Sequence, residues 1–244
     1  FADAELPGGP DYCSLHCVGT AAELDNINIT RGGSSGGVLV NGGCNGLRIT
    51  GEIRDCIGTG ILVQGIQGSG SNEWVEIDLT IRNCGLDWEN DPHPIGQPGT
   101  GWHACYWGGA QLPSKGHATL RVFDQTAGAA IQIGAHAHDL TVDIEGTRIS
   151  RNVQAPPFGP NGMKQVAGNL IQFWGEDDHR VTVKRAIGTD LAGRVVETDA
   201  LGAPSSSLVV EYARGYNIGY NRPPGVPLAP YANSKGIVTY VDCK

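Results

Sequence analysis

The sequence predicts an all-β protein with the architecture of a right-handed parallel β-helix, a solenoid in which short strands stack coil upon coil. Short runs of alternating apolar and polar residues recur along the chain, and a period of two is typical of strands with one buried face. The 37 glycines and 14 prolines among 244 residues argue against a helical bundle. A sandwich or jelly roll also has many short strands, but hairpin turn signals such as Asn-Gly are scarce between adjacent strands, which favours the β-helix.

The predicted repeat consists of two short strands, a glycine and a third strand. The repeats begin at residues 47–53, 75–81, 120–122, 140–144, 181–183 and 208–210, after a less regular first coil at 27–29 and 38–40. The third strands are expected at residues 60–64, 101–105, 130–133, 170–174, 195–198 and 236–240. Strands that recur at one phase stack as a solenoid, and parallel crossovers are right-handed. Residues 1–244 are expected to form this single domain.

Three repeats carry long insertions, at residues 86–100, 152–167 and 216–234. Each insertion follows the second strand of its repeat and precedes the third, so three long loops are expected to rise from one edge of the solenoid. Long loops without secondary structure are usually functional. The predicted binding groove is therefore this edge, together with the outer surface of the third strands beside it. The alternative is that the loops cap or cover the helix.

Composition and charge exclude several classes of protein. Charged residues make up 17% of the chain and the net charge is -8, with no acidic or basic block, so disorder and nucleic-acid binding are not expected. No apolar run reaches the roughly 18 to 20 residues that span a bilayer. The first residues, Phe1 to Ala4, have neither a basic region nor an apolar core, and we expect a mature secreted, extracellular protein.

The seven cysteines fit no zinc-binding spacing. We expect a disulfide between Cys13 and Cys17, in keeping with secretion. Cys56, Cys84 and Cys105 are equally well explained as buried thiols that pack like small apolar residues.

The outer face of the third strands is predicted to carry a ladder of polar groups. With the isoleucines and valines inward, the outward residues align as Leu62, His103, Gln132, Gln172 and Glu197, followed two positions later by Gln64, Cys105, Gly134, Trp174 and Asp199. Amide and carboxylate groups that bind hydroxyls, beside flat aromatic rings, are typical of a carbohydrate site. For Gln132 or Gln172 alone, a solvated strand face explains the residue as well.

His103 and Tyr106 lie in the segment that is richest in His, Tyr and Trp, and such a pair can supply a base and an acid. Taken singly, either residue can also be structural. The other predicted binding residues are Trp88, Asn90, His93, Trp107, Gln132, His136, Lys164, Gln172, Trp174, Arg194, Glu197 and Arg222, and Tyr216, Tyr220 and Tyr231 are alternative proton donors. His136 and His138 have no evident third ligand, so neither a metal site nor a cofactor is predicted.

Two kinds of polysaccharide chemistry require different residues. A glycoside hydrolase needs two carboxylates about 5 to 9.5 Å apart, and Asp177, Asp178, Glu197 and Asp199 form no convincing constellation. A lyase that acts on a uronic acid must neutralise a carboxylate, remove the proton at C5 and protonate O4. His103 and Tyr106, with Gln or Asn beside them, fit the lyase better. Because the net charge of -8 does not favour a polyanion, Lys164, Arg194 and Arg222 would have to supply a local positive field.

Two segments resemble those of a known family. The stretches Pro-Gly-Gly-Pro-Asp-Tyr-Cys-Ser-Leu-His-Cys at 7–17 and Trp-His-Ala-Cys-Tyr-Trp-Gly-Gly at 102–109 resemble the small secreted hyaluronate lyases of actinobacteria. The resemblance implies β-elimination at the N-acetylglucosamine-β1,4-glucuronate bond of hyaluronan, giving unsaturated oligosaccharides. It also implies that a Tyr acts as base and acid while His or Asn assists with the carboxylate. These roles map onto Tyr106, His103 and Asn169.

Other functions remain open at this point. The same ladder of polar and aromatic residues would suit a lyase for another uronate polymer or a glycoside hydrolase. It would equally suit a non-catalytic carbohydrate-binding module of the kind found in adhesins.

Overall fold

A computed structural model of the chain describes residues 13–33, 36–85, 103–108, 111–125, 128–149, 168–173, 179–198, 206–219 and 238–243. These ranges contain strands and no helix, and therefore no helix that is long and apolar enough to span a membrane. The strands are β1 Cys13–Cys17, β2 Glu23–Thr30, β3 Gly36–Asn41, β4 Asn45–Arg54, β5 Ile61–Gln64, β6 Asn72–Arg82, β7 Cys105–Trp107, β8 Ser114–Phe123, β9 Ile131–Ile133, β10 Ala137–Ile149, β11 Ile171–Phe173, β12 Arg180–Leu191, β13 Val196–Glu197, β14 Ser207–Ile218 and β15 Val238–Cys243.

The strands form two parallel sheets, and the chain alternates between them. The first sheet has the order β1-β3-β5-β7-β9-β11-β13, and the second has the order β15-β14-β12-β10-β8-β6-β4-β2. Each return of the chain thus adds one strand beside the previous one in the same sheet. Parallel pairing of all the named strands is inconsistent with a jelly roll, whose strands are antiparallel. The protein is all-β with parallel strands in two sheets, an arrangement consistent with a parallel β-helix.

The repeat differs from its prediction in two respects. The first two predicted strands of a repeat are one long strand of the second sheet; residues 47–53, for example, lie within the uninterrupted strand β4. The predicted third strand at 236–240 instead belongs to β15, which joins the second sheet by pairing Val238 with Leu208. The other third strands lie in the first sheet, although β7 begins only at Cys105.

The core lies between the two sheets and is built from columns of stacked apolar residues. One column of the first sheet runs through Val38, Ile61, Cys105, Ile131, Ile171 and Val196. A column of the second sheet runs through Ile49, Ile77, Ala118, Val142, Val183 and Val210. All of these residues are at most 1% exposed. The alternation of apolar residues that predicts the strands is therefore what fills the core.

The corner that ends each long strand of the second sheet is built in the same way from one repeat to the next. A residue with positive φ stands there at Arg31, Asp55, Asn83, Asp124, Arg148, Asp190 and Asn217. Asn and Asp tolerate this conformation better than other residues with a side chain. The side chains also bond along the edge: Asn83 Nδ2 donates to Asp55 Oδ1 at 2.8 Å and Asn217 Nδ2 donates to Asp190 Oδ1 at 2.6 Å. Side chains of adjacent repeats therefore form hydrogen bonds with each other at this corner.

Gly116 is required by a close backbone approach, which makes its replacement a test of the stacking. A Cβ at Gly116 would lie 1.8 Å from the carbonyl oxygen of Val75, and φ is +153°. Gly116→Ala should lower the free energy of unfolding by at least about 3 kcal/mol, measured by urea denaturation. Gly46 is a matched control, because φ is +85° and a Cβ would meet nothing within 4 Å; Gly46→Ala should cost only the backbone term of about 1–2 kcal/mol. Equal losses for the two variants would contradict this packing.

The predicted disulfide between Cys13 and Cys17 is not formed. Both are free thiols, as are Cys44, Cys56, Cys84 and Cys105. Cys13 and Cys17 stand at the two ends of β1, and four steps along a strand separate their Cα atoms by about 13 Å. A disulfide requires about 4.4–6.8 Å. The extended conformation of this segment excludes the bridge.

The predicted long loops lie mostly outside the described residues. Residues 86–100 fall between β6 of the second sheet and β7 of the first, and residues 152–167 fall between β10 and β11 in the same sense. Of the third insertion, Tyr216 to Ile218 belong to β14, whereas residues 220–234 lie outside the described part of the chain.

Candidate functional site

The outer face of the first sheet carries a row of polar side chains on four adjacent strands. Tyr106 of β7 pairs with Gln132 of β9, which pairs with Gln172 of β11, which pairs with Glu197 of β13. Their sequence neighbours lie in the core columns, so these four side chains point away from the core. Adjacent strands are about 4.8 Å apart, and the row is therefore continuous.

A second group of side chains flanks this row where the strands begin. His103 lies two residues before β7, Asn169 two residues before β11 and Arg194 two residues before β13. We call these seven residues together the polar strip: His103, Tyr106, Gln132, Asn169, Gln172, Arg194 and Glu197. The structure thus brings together all three predicted catalytic residues and four of the predicted binding residues.

The register of the strip differs from the predicted ladder at one coil. Tyr106, and not His103, is the residue aligned with Gln132. Cys105, predicted to face outward, is instead aligned with Ile61 and Ile131 in the core. The segment 102–107 has apolar residues in both alternating phases, and the structure buries the pair Cys105 and Trp107. Sequence alternation alone does not distinguish these two phases.

His103 is buried as a neutral imidazole with a defined tautomer. Its exposed fraction is 4%, and burial lowers its pKa to about 3 despite a hydrogen bond to the Gln132 side chain. The Ala129 backbone N–H donates to His103 Nδ1 at 3.0 Å. Because Nδ1 is the acceptor, the single ring proton of the neutral form is on Nε2. His103 is therefore suited to donate a hydrogen bond and unsuited to act as a general base.

Tyr106 lies next to His103, with 6.2 Å between the ring centroids. The side chain is 6% exposed, and burial raises the pKa of its hydroxyl to about 12. The phenol is thus neutral at physiological pH. A neutral phenol is a proton donor, and its conjugate phenolate would be a strong base.

Gln172 carries an unsatisfied acceptor in the middle of the strip. Gln132 and Gln172 are both 6% exposed although they point away from the core, so the strip is recessed below the surface. Gln172 Oε1 is buried and has no hydrogen-bond partner among the described residues. Most buried polar groups are hydrogen-bonded, so Gln172 Oε1 is an available acceptor for a water or a ligand in the strip.

Asn169, Arg194 and Glu197 form the other end of the strip. The Arg194 backbone N–H donates to Asn169 Oδ1 at 2.7 Å, which leaves the Asn169 Nδ2 amide hydrogens for other contacts. Arg194 Nη1 lies 3.2 Å from Glu197 Oε2. Arg194 Nε is buried without a partner among the described residues. The guanidinium group therefore still has a donor to offer, in the repeat that follows that of Gln172.

The strip carries no net charge of its own. Arg194 and Glu197 offset each other, His103 is neutral at physiological pH, and the remaining four side chains are uncharged. The protein as a whole has a net charge of -8. An anionic ligand would therefore meet hydrogen-bond donors and one partly compensated guanidinium group, with no uncompensated carboxylate.

Two predicted binding residues lie away from the strip. Trp107 is fully buried between the sheets, and its Nε1–H donates to the Ser114 carbonyl at 3.2 Å; its predicted contact with substrate is wrong because its ring faces the core. His136 stands in the turn between β9 and β10 with φ of +62°, and its ring centroid is 6.2 Å from that of His138. His136 follows the C-terminal end of β9, whereas Ala129, which bonds His103, precedes its N-terminal end.

The remaining predicted residues lie outside the described part of the chain. They are Trp88, Asn90, His93, Lys164, Trp174 and Arg222, with Asp177, Asp178 and Asp199 of the hydrolase alternative.

One residue on the flank of the polar strip is missing from the sequence prediction. Thr59 is 3% exposed and occupies, one coil earlier, the position of His103, because Ile61 pairs with Cys105. The signal that identifies Thr59 is its spacing, because it lies two residues before the inward residue Ile61, as His103 lies two residues before Cys105. The spacing becomes apparent once β7 is placed in its correct register. Thr59 extends the flank of the strip toward Leu62, where the polar row ends.

Comparisons with protein-family models, with curated proteins and with solved structures found no match.

Proposed function

We propose that this protein is a polysaccharide lyase that cleaves hyaluronan by β-elimination. We further propose that its two parallel sheets form a right-handed β-helix whose long connecting segments rise from one edge, beside the polar strip. The observation that carries the proposal is the pair of unsatisfied buried atoms in the strip, the acceptor Gln172 Oε1 and the donor Arg194 Nε.

A ligand that satisfies both atoms must bring a hydrogen-bond donor and an acceptor. A polymer of glucuronate and N-acetylglucosamine presents hydroxyl and amide N–H donors together with carboxylate oxygens. The recessed strip places the two atoms on neighbouring coils, since Gln172 pairs with Glu197 and Glu197 contacts Arg194. Hyaluronan supplies both kinds of group, and its carboxylate is a stronger acceptor for the Arg194 guanidinium than a hydroxyl is.

The chemistry of elimination matches the ionisation of the strip. The proton at C5 of the glucuronate is removed, its bonding electrons form the C4–C5 double bond, the C4–O4 bond breaks, and O4 takes a proton. No water is consumed in these steps. The carboxylate must be stabilised while charge builds up at C5, and neutral donors held in a buried site do this effectively.

The residues of the strip can divide these tasks. The Asn169 amide and the Gln172 amide are donors for the carboxylate. His103 positions the neighbouring Gln132 side chain, which its Nε2–H bonds. Tyr106 transfers the proton: its phenolate takes the proton from C5 and its hydroxyl returns it to O4. A phenolate whose pKa is raised to about 12 is scarce but strongly basic, which suits removal of a proton from carbon.

Two other functions are less well supported by the strip. Hydrolysis with two carboxylates would need a partner for Glu197, the single carboxylate of the strip, and Glu197 is already paired with Arg194. A non-catalytic carbohydrate-binding module remains the second candidate. The buried imidazole of His103 favours it, because a ring that stays neutral can organise a binding surface but does not act as a base.

The decisive experiment is an ultraviolet assay with four separate polymers: hyaluronan, chondroitin, alginate and polygalacturonate. We expect absorbance near 230 nm from the new C4–C5 double bond on hyaluronan, with reducing ends formed in equal number. Reducing ends without absorbance would mean hydrolysis and would overturn the proposal. Silence in both assays, with hyaluronan binding retained, would establish the binding module.

A further inference from the structure

The outer face of the second sheet carries a depression that the proposed lyase chemistry does not use. It has a volume of about 520 Å³ and lies where β2, β4 and β6 begin. Roughly 300–1,000 Å³ is typical of sites for small ligands. Trp74 lines the depression and is 44% exposed. An exposed tryptophan that lines a concave surface presents a flat apolar face to a ligand.

The polar groups of the depression stand in one row across three strands. Arg48 pairs in register with Glu23 on one side and with Glu76 on the other. Its guanidinium group bonds the Glu23 carboxylate and lies 3.8 Å from Glu76 Oε1. Contact with Glu23 raises the pKa of Arg48. The arginine thus lies between two exposed carboxylates that also line the depression.

Small residues keep the depression open beside Trp74. Gly46 lines it, and a Cβ built on Gly46 would meet nothing within 4 Å. Asn45, the neighbour of Gly46, is the register partner of Trp74. Asn45 also lines the depression, and its amide group is a further donor and acceptor. The depression therefore combines a stacking face with amide, guanidinium and carboxylate groups.

We propose that this depression binds a neutral hexopyranose unit of an oligosaccharide. A pyranose ring has a flat apolar C–H face that stacks on an indole, and hydroxyls that donate to carboxylate oxygens. Two carboxylates and one guanidinium give the depression one net negative charge, which disfavours a uronate. The ligand of this site is thus uncharged, whereas the substrate proposed for the polar strip is an anion. The strip lies on the other sheet.

The site is tested by isothermal titration calorimetry of the full chain with three neutral probes: N-acetylchitotetraose, cellotetraose and maltotetraose. We expect at least one to bind. Trp74→Ala should weaken that binding at least tenfold, and Trp74→Phe should stay within about fivefold of the parent. Because Trp74 is exposed, neither change should unfold the protein. Lys184→Ala alters an exposed residue of β12, three strands away in the same sheet, and should leave the affinity unchanged.

Two results would overturn this site: no binding of any probe at millimolar concentration, or binding that Trp74→Ala leaves intact. Gln172→Ala alters the polar strip and should leave the affinity for the neutral tetrasaccharide unchanged. The neutral-sugar site and the proposed lyase function can therefore fail independently.

Discussion

Replacing Tyr106 by phenylalanine should lower kcat for hyaluronan elimination by about 10²–10⁴-fold, the usual contribution of a positioned proton-transfer group. The hydroxyl is the only atom lost, and the ring should keep its place in the recessed row with Gln132. The affinity for hyaluronan oligosaccharides should therefore change by less than about threefold. Initial rates of ultraviolet absorbance and calorimetric binding measure the two quantities separately.

Tyr212→Phe is the matched control for this change. Tyr212 lies in β14 of the second sheet, where its hydroxyl accepts a hydrogen bond from Arg214, and its loss should not alter turnover. Full activity of Tyr106→Phe would contradict the assignment and direct attention to Tyr220 and Tyr231. A module without catalytic function would show no turnover in the parent protein, so the comparison also separates the two candidate functions.

The raised pKa of Tyr106 also predicts the pH dependence of elimination. If the phenolate is the base, its fraction grows tenfold for each pH unit below a pKa of about 12. The value of kcat/KM should therefore rise with pH between 7 and 10. His103 is neutral throughout this range, because its pKa is lowered to about 3, and should add no inflection near its ordinary value of about 6.5. A rate independent of pH would assign the base to another group.

Acidification should destabilise the protein through His103. The pKa is about 3 in the folded state and about 6.5 in the unfolded state, so the unfolded chain binds more protons between these values. The stability that comes from keeping the imidazole neutral is complete above pH 6.5 and is lost progressively as the pH falls toward 3. Between pH 7 and pH 5 this group should remove about 2 kcal/mol from the free energy of unfolding.

His103→Gln should abolish this part of the pH dependence. Urea denaturation of the variant at pH 7 and pH 5 should show a difference about 2 kcal/mol smaller than that of the parent protein. His16→Gln is the control, because it removes an exposed imidazole from β1 of the same sheet. If the parent and His103→Gln lost stability in parallel, the buried neutral state of His103 would be refuted.

The alternation of apolar and polar residues was sufficient to predict the all-β class and the position of most strands. Alternation such as that in β4 and β6 places Ile49 and Ile77 inward, because apolar residues at every second position fill one face of a strand. It also determined that Gln132, Gln172 and Glu197 lie in one row, since these residues stand between inward positions in three successive repeats.

Where the local pattern is ambiguous, contacts between distant parts of the chain settle the outcome. The register of β7 depends on whether the core takes Cys105 and Trp107 or the preceding apolar residues, and this is settled by packing against Ile131 and Ile133. The state of His103 depends on desolvation and on the N–H of Ala129, which is 26 residues away in sequence. Cys13 and Cys17 are separated because pairing with β3 holds their segment extended. In each case the deciding contacts come from residues that are distant in sequence, which a pattern of adjacent residues does not contain.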